Sequence, residues 1–157
     1  MEIERKYLID TLPADVPGAY KKRVIEQGYL NTSPVVRVRR DNDSYYLTYK
    51  SSGLMAREEY NLPLNAEAYA HLVKKSDGII ITKDRYEIPI ENNLIIELDI
   101  FHGEYEGLII AEVEFPSIED AESFTPPEWF SRDVTFDSTY HNSNMSKKNT
   151  IFPSKHN

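Results

Sequence analysis

Lys83-Asp84-Arg85-Tyr86-Glu87-Ile88 sets Lys83, Arg85 and Glu87 against Tyr86 and Ile88. Side chains at i and i+2 of an extended chain share a face, so this stretch reads as a strand with one charged face and one apolar face. The arrangement recurs on either side of it. Glu97 and Asp99 oppose Ile96, Leu98 and Ile100, and Glu112 and Glu114 oppose Ala111, Val113 and Phe115. Toward the N-terminus Arg37 and Arg39 oppose Val36 and Val38, and Glu2, Glu4 and Lys6 oppose Ile3 and Tyr7; Lys50 and Glu59 join the charged set. Any one of these faces alone reads as the wet side of an antiparallel sheet. A wet face, however, mixes Ser, Thr, Asn and Lys, whereas these are paired by sign as E-x-E, R-x-R, K-x-R, E-x-D and E-x-E. Acidic strands are therefore expected together, facing basic ones across an enclosed space.

Period-two patterning places strands at 1–9, 24–31, 34–41, 44–51, 56–62, 79–90, 94–101 and 108–115, separated by turns rich in Asn, Asp and Gly. Asn65 caps an expected helix through Lys75 and Ser117 another through Phe124, while 15–27 is ambiguous and reads as a short helix running into a strand. The expected fold is mainly β with some α (α+β): an eight-stranded antiparallel β-barrel forming a tunnel, with flanking helices. Residues 1–146 form the domain and 147–157 a C-terminal tail. With the charged faces inward, the lumen would hold roughly six cations and six carboxylates, too many to bury unless hydrated or filled. Clustered carboxylates suit Mg²⁺ or Mn²⁺, clustered Lys and Arg suit phosphoryl oxygens, and both together suit a metal-bound polyphosphate.

The composition narrows the classes. The chain has 157 residues with 18 basic and 26 acidic side chains, a formal net charge of −8, which argues against a partner of long nucleic acid. It has no cysteine, so disulfide scaffolds, thiolate metal sites and Cys nucleophiles drop out together. MEIERKYLID lacks the apolar core of a signal peptide, and no stretch approaches eighteen apolar residues. A cytoplasmic protein without a membrane partner is expected, as monomer or homodimer.

The ordered series Glu2-Ile3-Glu4-Arg5-Lys6, Glu26-Gln27-Gly28-Tyr29-Leu30, Arg37-Val38-Arg39-Arg40, Lys50, Arg57-Glu58-Glu59-Tyr60, Lys83-Asp84-Arg85-Tyr86, Glu97-Leu98-Asp99 and Glu112-Val113-Glu114-Phe115 resembles the CYTH, or triphosphate tunnel metalloenzyme, superfamily over nearly the whole chain. The short bacterial tripolyphosphatases are the nearest likeness. The resemblance implies a tunnel in which Glu2, Glu4, Glu112 and Glu114 hold divalent metal, with Asp99 and Glu59 as additional ligands, and Lys6, Arg37, Arg39, Lys50, Lys83 and Arg85 hold phosphates. It also implies a Tyr29–Lys6 dyad that activates the attacking water, and a Lys83 that stabilises the leaving phosphate. One departure stands out. Where many relatives place a basic residue on a closing helix, this chain has Ser138-Thr139-Tyr140-His141-Asn142-Ser143-Asn144, with Lys147 or Lys148 as the nearest substitutes.

The activity implied is hydrolysis of inorganic triphosphate to pyrophosphate and phosphate with Mg²⁺ or Mn²⁺. A class IV adenylyl cyclase, a thiamine or nucleoside triphosphatase, and a non-catalytic polyphosphate- or nucleotide-binding module stay open as alternatives, separated by the product formed from ATP. At 157 residues a polyphosphate polymerase with an accessory domain is not the expected reading. His71, His102 and His156 read as surface or tail residues, and Trp129 as a packing residue.

Overall fold

In the computed structural model, which describes residues 1–147, nine antiparallel strands form one nearly closed sheet. They are β1 (Glu2–Leu8), β2 (Lys22–Thr32), β3 (Val35–Asp41), β4 (Ser44–Lys50), β5 (Ala56–Arg57), β6 (Glu59–Leu64), β7 (Asp77–Pro89), β8 (Ile95–His102) and β9 (Ile109–Glu114). Their order is β5-β1-β9-β8-β7-β2-β3-β4-β6. The expected strand at 56–62 is thus two strands, which accounts for nine rather than eight. Ile3 pairs with Ala56 and Glu2 with Arg57 across β1–β5, while Lys50 pairs with Glu59 across β4–β6. One stretch interrupted at Glu58 therefore bends from the last strand to the first and joins the ends of the sheet.

The 15–27 stretch resolves as turns followed by β2. Helix α1 (Ala66–Val73) begins where expected because the Asn65 side chain accepts from Ala68 N, and α2 (Ile118–Ser123) because Ser117 accepts from Asp120 N. Both are shorter than expected. Helix α1 lies over β2–β4, where Tyr69 Oη donates to Glu26 Oε1 at 2.7 Å. Helix α2 and the chain after it cover the outward apolar faces, bringing Ala121 and Phe130 onto Ile3, Tyr7, Ile88, Leu98 and Val113. Trp129 packs edge-on against Phe130. Because this cover takes up the apolar faces, the charged faces are left to the lumen.

The lumen is not charged along its whole length. Ile81, Phe101 and Ile110 share strand faces with Lys83, Asp99 and Glu112, and with Tyr29 and Val35 they form a buried apolar cluster. Val134, Tyr140 and Met145 of the C-terminal segment complete that cluster. The segment first runs along the free edge of β1, with Leu8 N donating to Arg132 O and Val134 N to Lys6 O. It then turns through α3 (Asn142–Met145), and Ile79 N donates to Ser146 O. Gly78 permits this approach: at φ +68, a Cβ built there would lie 2.1 Å from Ser146 O. Among the described residues no helix is long and apolar enough to cross a membrane.

Candidate active site

A cavity of about 210 Å³ occupies the charged part of the barrel. One wall is acidic. Glu2 and Glu4 reach it from β1, Glu112 and Glu114 from β9, Glu97 from β8 and Glu59 from β6. Register places like charges directly opposite, Glu4 against Glu114 and Glu97 against Glu112, a pairing that destabilises a sheet unless a cation intervenes; Arg85 does so for the second pair, 3.0 Å from Glu97 and 3.8 Å from Glu112. Burial, then Glu112 and Glu2, push the Glu4 carboxyl up to about 8. Burial, then Glu2, Glu59 and Glu97, also raise Glu114. Burial works against ionised Glu112 too, but Lys6 and Arg85 overcome it and hold Glu112 well below the usual carboxylate range. Lys50 draws part of the wall together, its Nζ lying 3.1 Å from both Glu2 Oε1 and Glu59 Oε2.

Among the described residues no three of these carboxylates meet as a closed set of metal ligands. The donor set nevertheless fits a hard divalent cation: every donor is a carboxylate oxygen, and the charge of Glu4 is opposed by burial and by neighbours of its own sign.

The opposite wall is basic. Arg37 and Arg39 from β3 and Lys83 and Arg85 from β7 line it. Arg37 is 6% exposed; its Nη2 reaches Thr48 Oγ1 at 3.3 Å, and its Nε has no hydrogen-bond partner among the described residues. Arg39 donates to a neutral acceptor, Gln27 Oε1, at 2.8 Å. Burial, then Arg37 and Arg85, oppose its charge. Buried cations crowded in this way require an anion.

Asp99, expected as a metal ligand, does not line the cavity. It is 0% exposed behind the cations, accepting from Arg85 Nε at 2.7 Å and Nη2 at 2.9 Å, with Lys83 Nζ at 2.7 Å. The carboxylate of β8 that reaches the cavity is instead Glu97, two residues earlier on the same strand face. E-x-D parity put both on one face but carried no depth.

The expected Tyr29–Lys6 pair is not joined by a hydrogen bond among the described residues. Lys6 Nζ donates to Tyr140 O at 3.2 Å and lies 3.5 Å from Glu112 Oε1, whereas Tyr29 Oη accepts from Gln27 Nε2 at 3.0 Å. Both residues face the same cavity. A register shift between Gln27 and Tyr29, at Gly28, accompanies this placement.

Beside Glu97, Gln27 and Asn142 are functional candidates that sequence reasoning missed. Asn142 Oδ1 accepts from Lys83 Nζ at 2.7 Å and from Gln27 Nε2 at 2.9 Å. The available signals were the Gln beside Tyr29 and the absence of a basic residue in 138–144. Lys147 is exposed and lines a neighbouring hollow with Arg57 and Ser143; Lys148 and His156 lie outside the described residues. His71 is exposed. His102 lies at the surface as expected, its side chain 43% exposed, and bonds Asp84 at 2.9 Å and Glu106 at 3.2 Å.

This barrel, with an acidic wall facing a basic one, is the arrangement of a triphosphate tunnel. The CYTH domain family matches residues 1–149, and the chain belongs to it. The chain is 36% identical over 144 residues to an inorganic triphosphatase of Nitrosomonas europaea, covering 90% of this chain and 93% of that protein. It is 39% identical over 152 residues to an inorganic triphosphatase of Acetivibrio thermocellus, covering 93% of each. The crystal structure of the inorganic triphosphatase NE1496 superposes with a TM-score of 0.69 at 32% identity, over 98% of this chain and 97% of that one. A Hippeastrum protein at 16% identity shares the fold, with a TM-score of 0.60 over 78% of this chain and 83% of that one.

Proposed function

We propose that this protein is a divalent-metal-dependent inorganic triphosphatase, hydrolysing triphosphate to pyrophosphate and phosphate. The observation that carries this reading is the buried Arg37, lacking a partner for Nε, set across a cavity of about 210 Å³ from like-charged carboxylates. The names of the two relatives, each matched over nearly its whole length, point the same way.

Phosphoryl transfer needs charge neutralisation and in-line positioning more than covalent help. Arg37, Arg39, Lys83 and Arg85 bind the phosphoryl oxygens, and Lys6 and Lys50 flank them. Glu2, Glu4, Glu112 and Glu114 hold Mg²⁺ or Mn²⁺, with Glu59 and Glu97 beside them; the ion supplies Lewis-acid polarisation of phosphoryl oxygens when bound. Asp99 serves here as the anchor of Lys83 and Arg85 rather than as a ligand. Water adds to the terminal phosphorus while the bond to the bridging oxygen breaks, the water's proton stays with the phosphate being formed, and pyrophosphate departs. Tyr29 and Lys6 orient the water from their places on the cavity wall. Lys83 donates to the departing oxygen. Burial, only partly offset by Asp99, brings its pKa down to about 7, which suits proton transfer near neutrality.

The test is phosphate release from inorganic triphosphate, ATP and thiamine triphosphate, each with Mg²⁺ and with Mn²⁺. Release chiefly from inorganic triphosphate is expected. Cyclic AMP from ATP, or binding without release, would overturn the reading.

A further inference from the structure

Two amides at the basic wall, Asn142 lining the cavity and Gln27 buried behind it, have orientations dictated by cations. Lys83 Nζ donates as the ammonium paired with Asp99 at 2.7 Å, so the Asn142 atom 2.7 Å from it is the carbonyl oxygen. Arg39 Nε can only donate, so the Gln27 atom 2.8 Å from it is likewise the carbonyl oxygen. The Gln27 amide nitrogen must then point the other way, where it meets Asn142 Oδ1 at 2.9 Å and Tyr29 Oη at 3.0 Å. A continuous chain of hydrogen bonds thus runs from one cation to the other through two neutral groups and touches the tyrosine between them. Both amides are out of solvent, Gln27 at 0% and Asn142 at 9% exposure.

Neutrality is the informative property. A carboxylate at either position would pair with Lys83 or Arg39 and cancel charge needed for phosphate; a third cation would repel both. An amide satisfies the donor without adding negative charge beside the two cations. Asn142 is delivered by the C-terminal segment, whose Met145 is buried in the apolar cluster and whose Ser146 O accepts from Ile79 N.

We propose that Gln27 and Asn142 are positioning residues for triphosphate. Their joined amides fix Lys83, Arg39 and Tyr29 in one arrangement without neutralising the cations, so the docked C-terminal segment is part of the binding site. This rests on the triphosphatase reading for its substrate.

Two variants separate this from a structural role. Asn142→Leu fills the space but removes the acceptor, and Asn142→Asp keeps both hydrogen bonds while adding a charge that pairs with Lys83. Affinity for inorganic triphosphate is measured by calorimetry in chelator, beside thermal melting, kcat and KM. Both variants should bind triphosphate about tenfold more weakly or worse, with KM raised and the Asn142→Asp melting temperature at or above that of the wild type. Gln27→Leu should give a loss that is less than additive with Asn142→Leu, because each breaks the same chain. A structural peg would tolerate Asn142→Asp, so wild-type affinity in that variant overturns the proposal even if Asn142→Leu fails to fold. Wild-type protein that binds triphosphate but releases no phosphate sinks the triphosphatase reading alone, and the affinity series still decides the bridge. Wild-type protein that does not bind triphosphate overturns both.

Discussion

The Lys83 ammonium lies 2.7 Å from a carboxylate, Asp99, that has no exposure to solvent. Both Asp99 oxygens also accept from Arg85, so this carboxylate is committed to the cations it supports. Burial works against its charge, but Arg85 and then Lys83 overcome it and hold its pKa below the ordinary value. Asp99→Asn would leave two buried cations short of a counter-charge. The expected outcome is a loss of about 3 kcal/mol or more in urea unfolding, with loss of hydrolysis and little change in metal affinity measured by calorimetry. A large drop in metal affinity with stability intact would return Asp99 to the ligand set.

Glu4 behaves in the opposite way. Its pKa stands at about 8 against 4.5 for the free side chain, so between those values the folded protein holds a proton that the unfolded chain has released. Its contribution to stability is therefore lost as pH rises through that window. Glu4→Gln removes the burial cost and the repulsion from Glu112 and Glu2. The metal-free variant should be more stable than the wild type at pH 8 and above, by an amount on the order of a few kcal/mol, and the difference should shrink toward pH 5. Metal-dependent phosphate release should disappear. A variant that is less stable than the wild type at pH 8 would contradict this account of the acidic wall.

Arg37 is buried and incompletely bonded, so its place is explained by a ligand better than by the fold. Arg37→Met keeps the length and much of the packing. Melting should be unchanged or raised, while KM for triphosphate rises about tenfold to a hundredfold, the worth of a charge-assisted hydrogen bond. A fall in stability without a change in KM would place Arg37 in the scaffold.

For Tyr29 the contact with Gln27 matters more than any contact with Lys6. Tyr29→Phe should lower kcat and leave triphosphate affinity nearly unchanged, with stability altered by about 1 kcal/mol at most. Undiminished kcat would remove the hydroxyl from the reaction.

Much of the barrel was legible along the chain because period-two alternation and turn residues are local properties. Strand positions were read to within a few residues, and the caps at Asn65 and Ser117 were readable because an N-cap is settled within its own first turn. The interruption at Glu58 was not legible. Nothing local in Arg57-Glu58-Glu59-Tyr60 says that one end will pair with β1 and the other with β4; that is decided by closing the ring.

The site divides along the same line. Alternation placed Glu2, Glu4, Lys6, Arg37, Arg39, Lys83, Arg85, Glu112 and Glu114 on inward faces, and the structure brings all nine to one cavity. Parity carries direction but not depth along the barrel axis. It could not distinguish Glu97, which reaches the cavity, from Asp99, which lies behind the cations, nor show that Ile81 and Ile110 on those same faces gather into an apolar cluster with the C-terminal segment.

By itself, then, the sequence determined a β-barrel whose lumen carries opposed charges, because side-chain period and residue type are written in every strand. Only the tertiary structure decided which charges meet. The C-terminal segment returns across the barrel to set Asn142 against Lys83 and Gln27, contacts spanning 59 and 115 residues. Such contacts exist only once β1, β7 and the apolar cluster have fixed where that segment can dock.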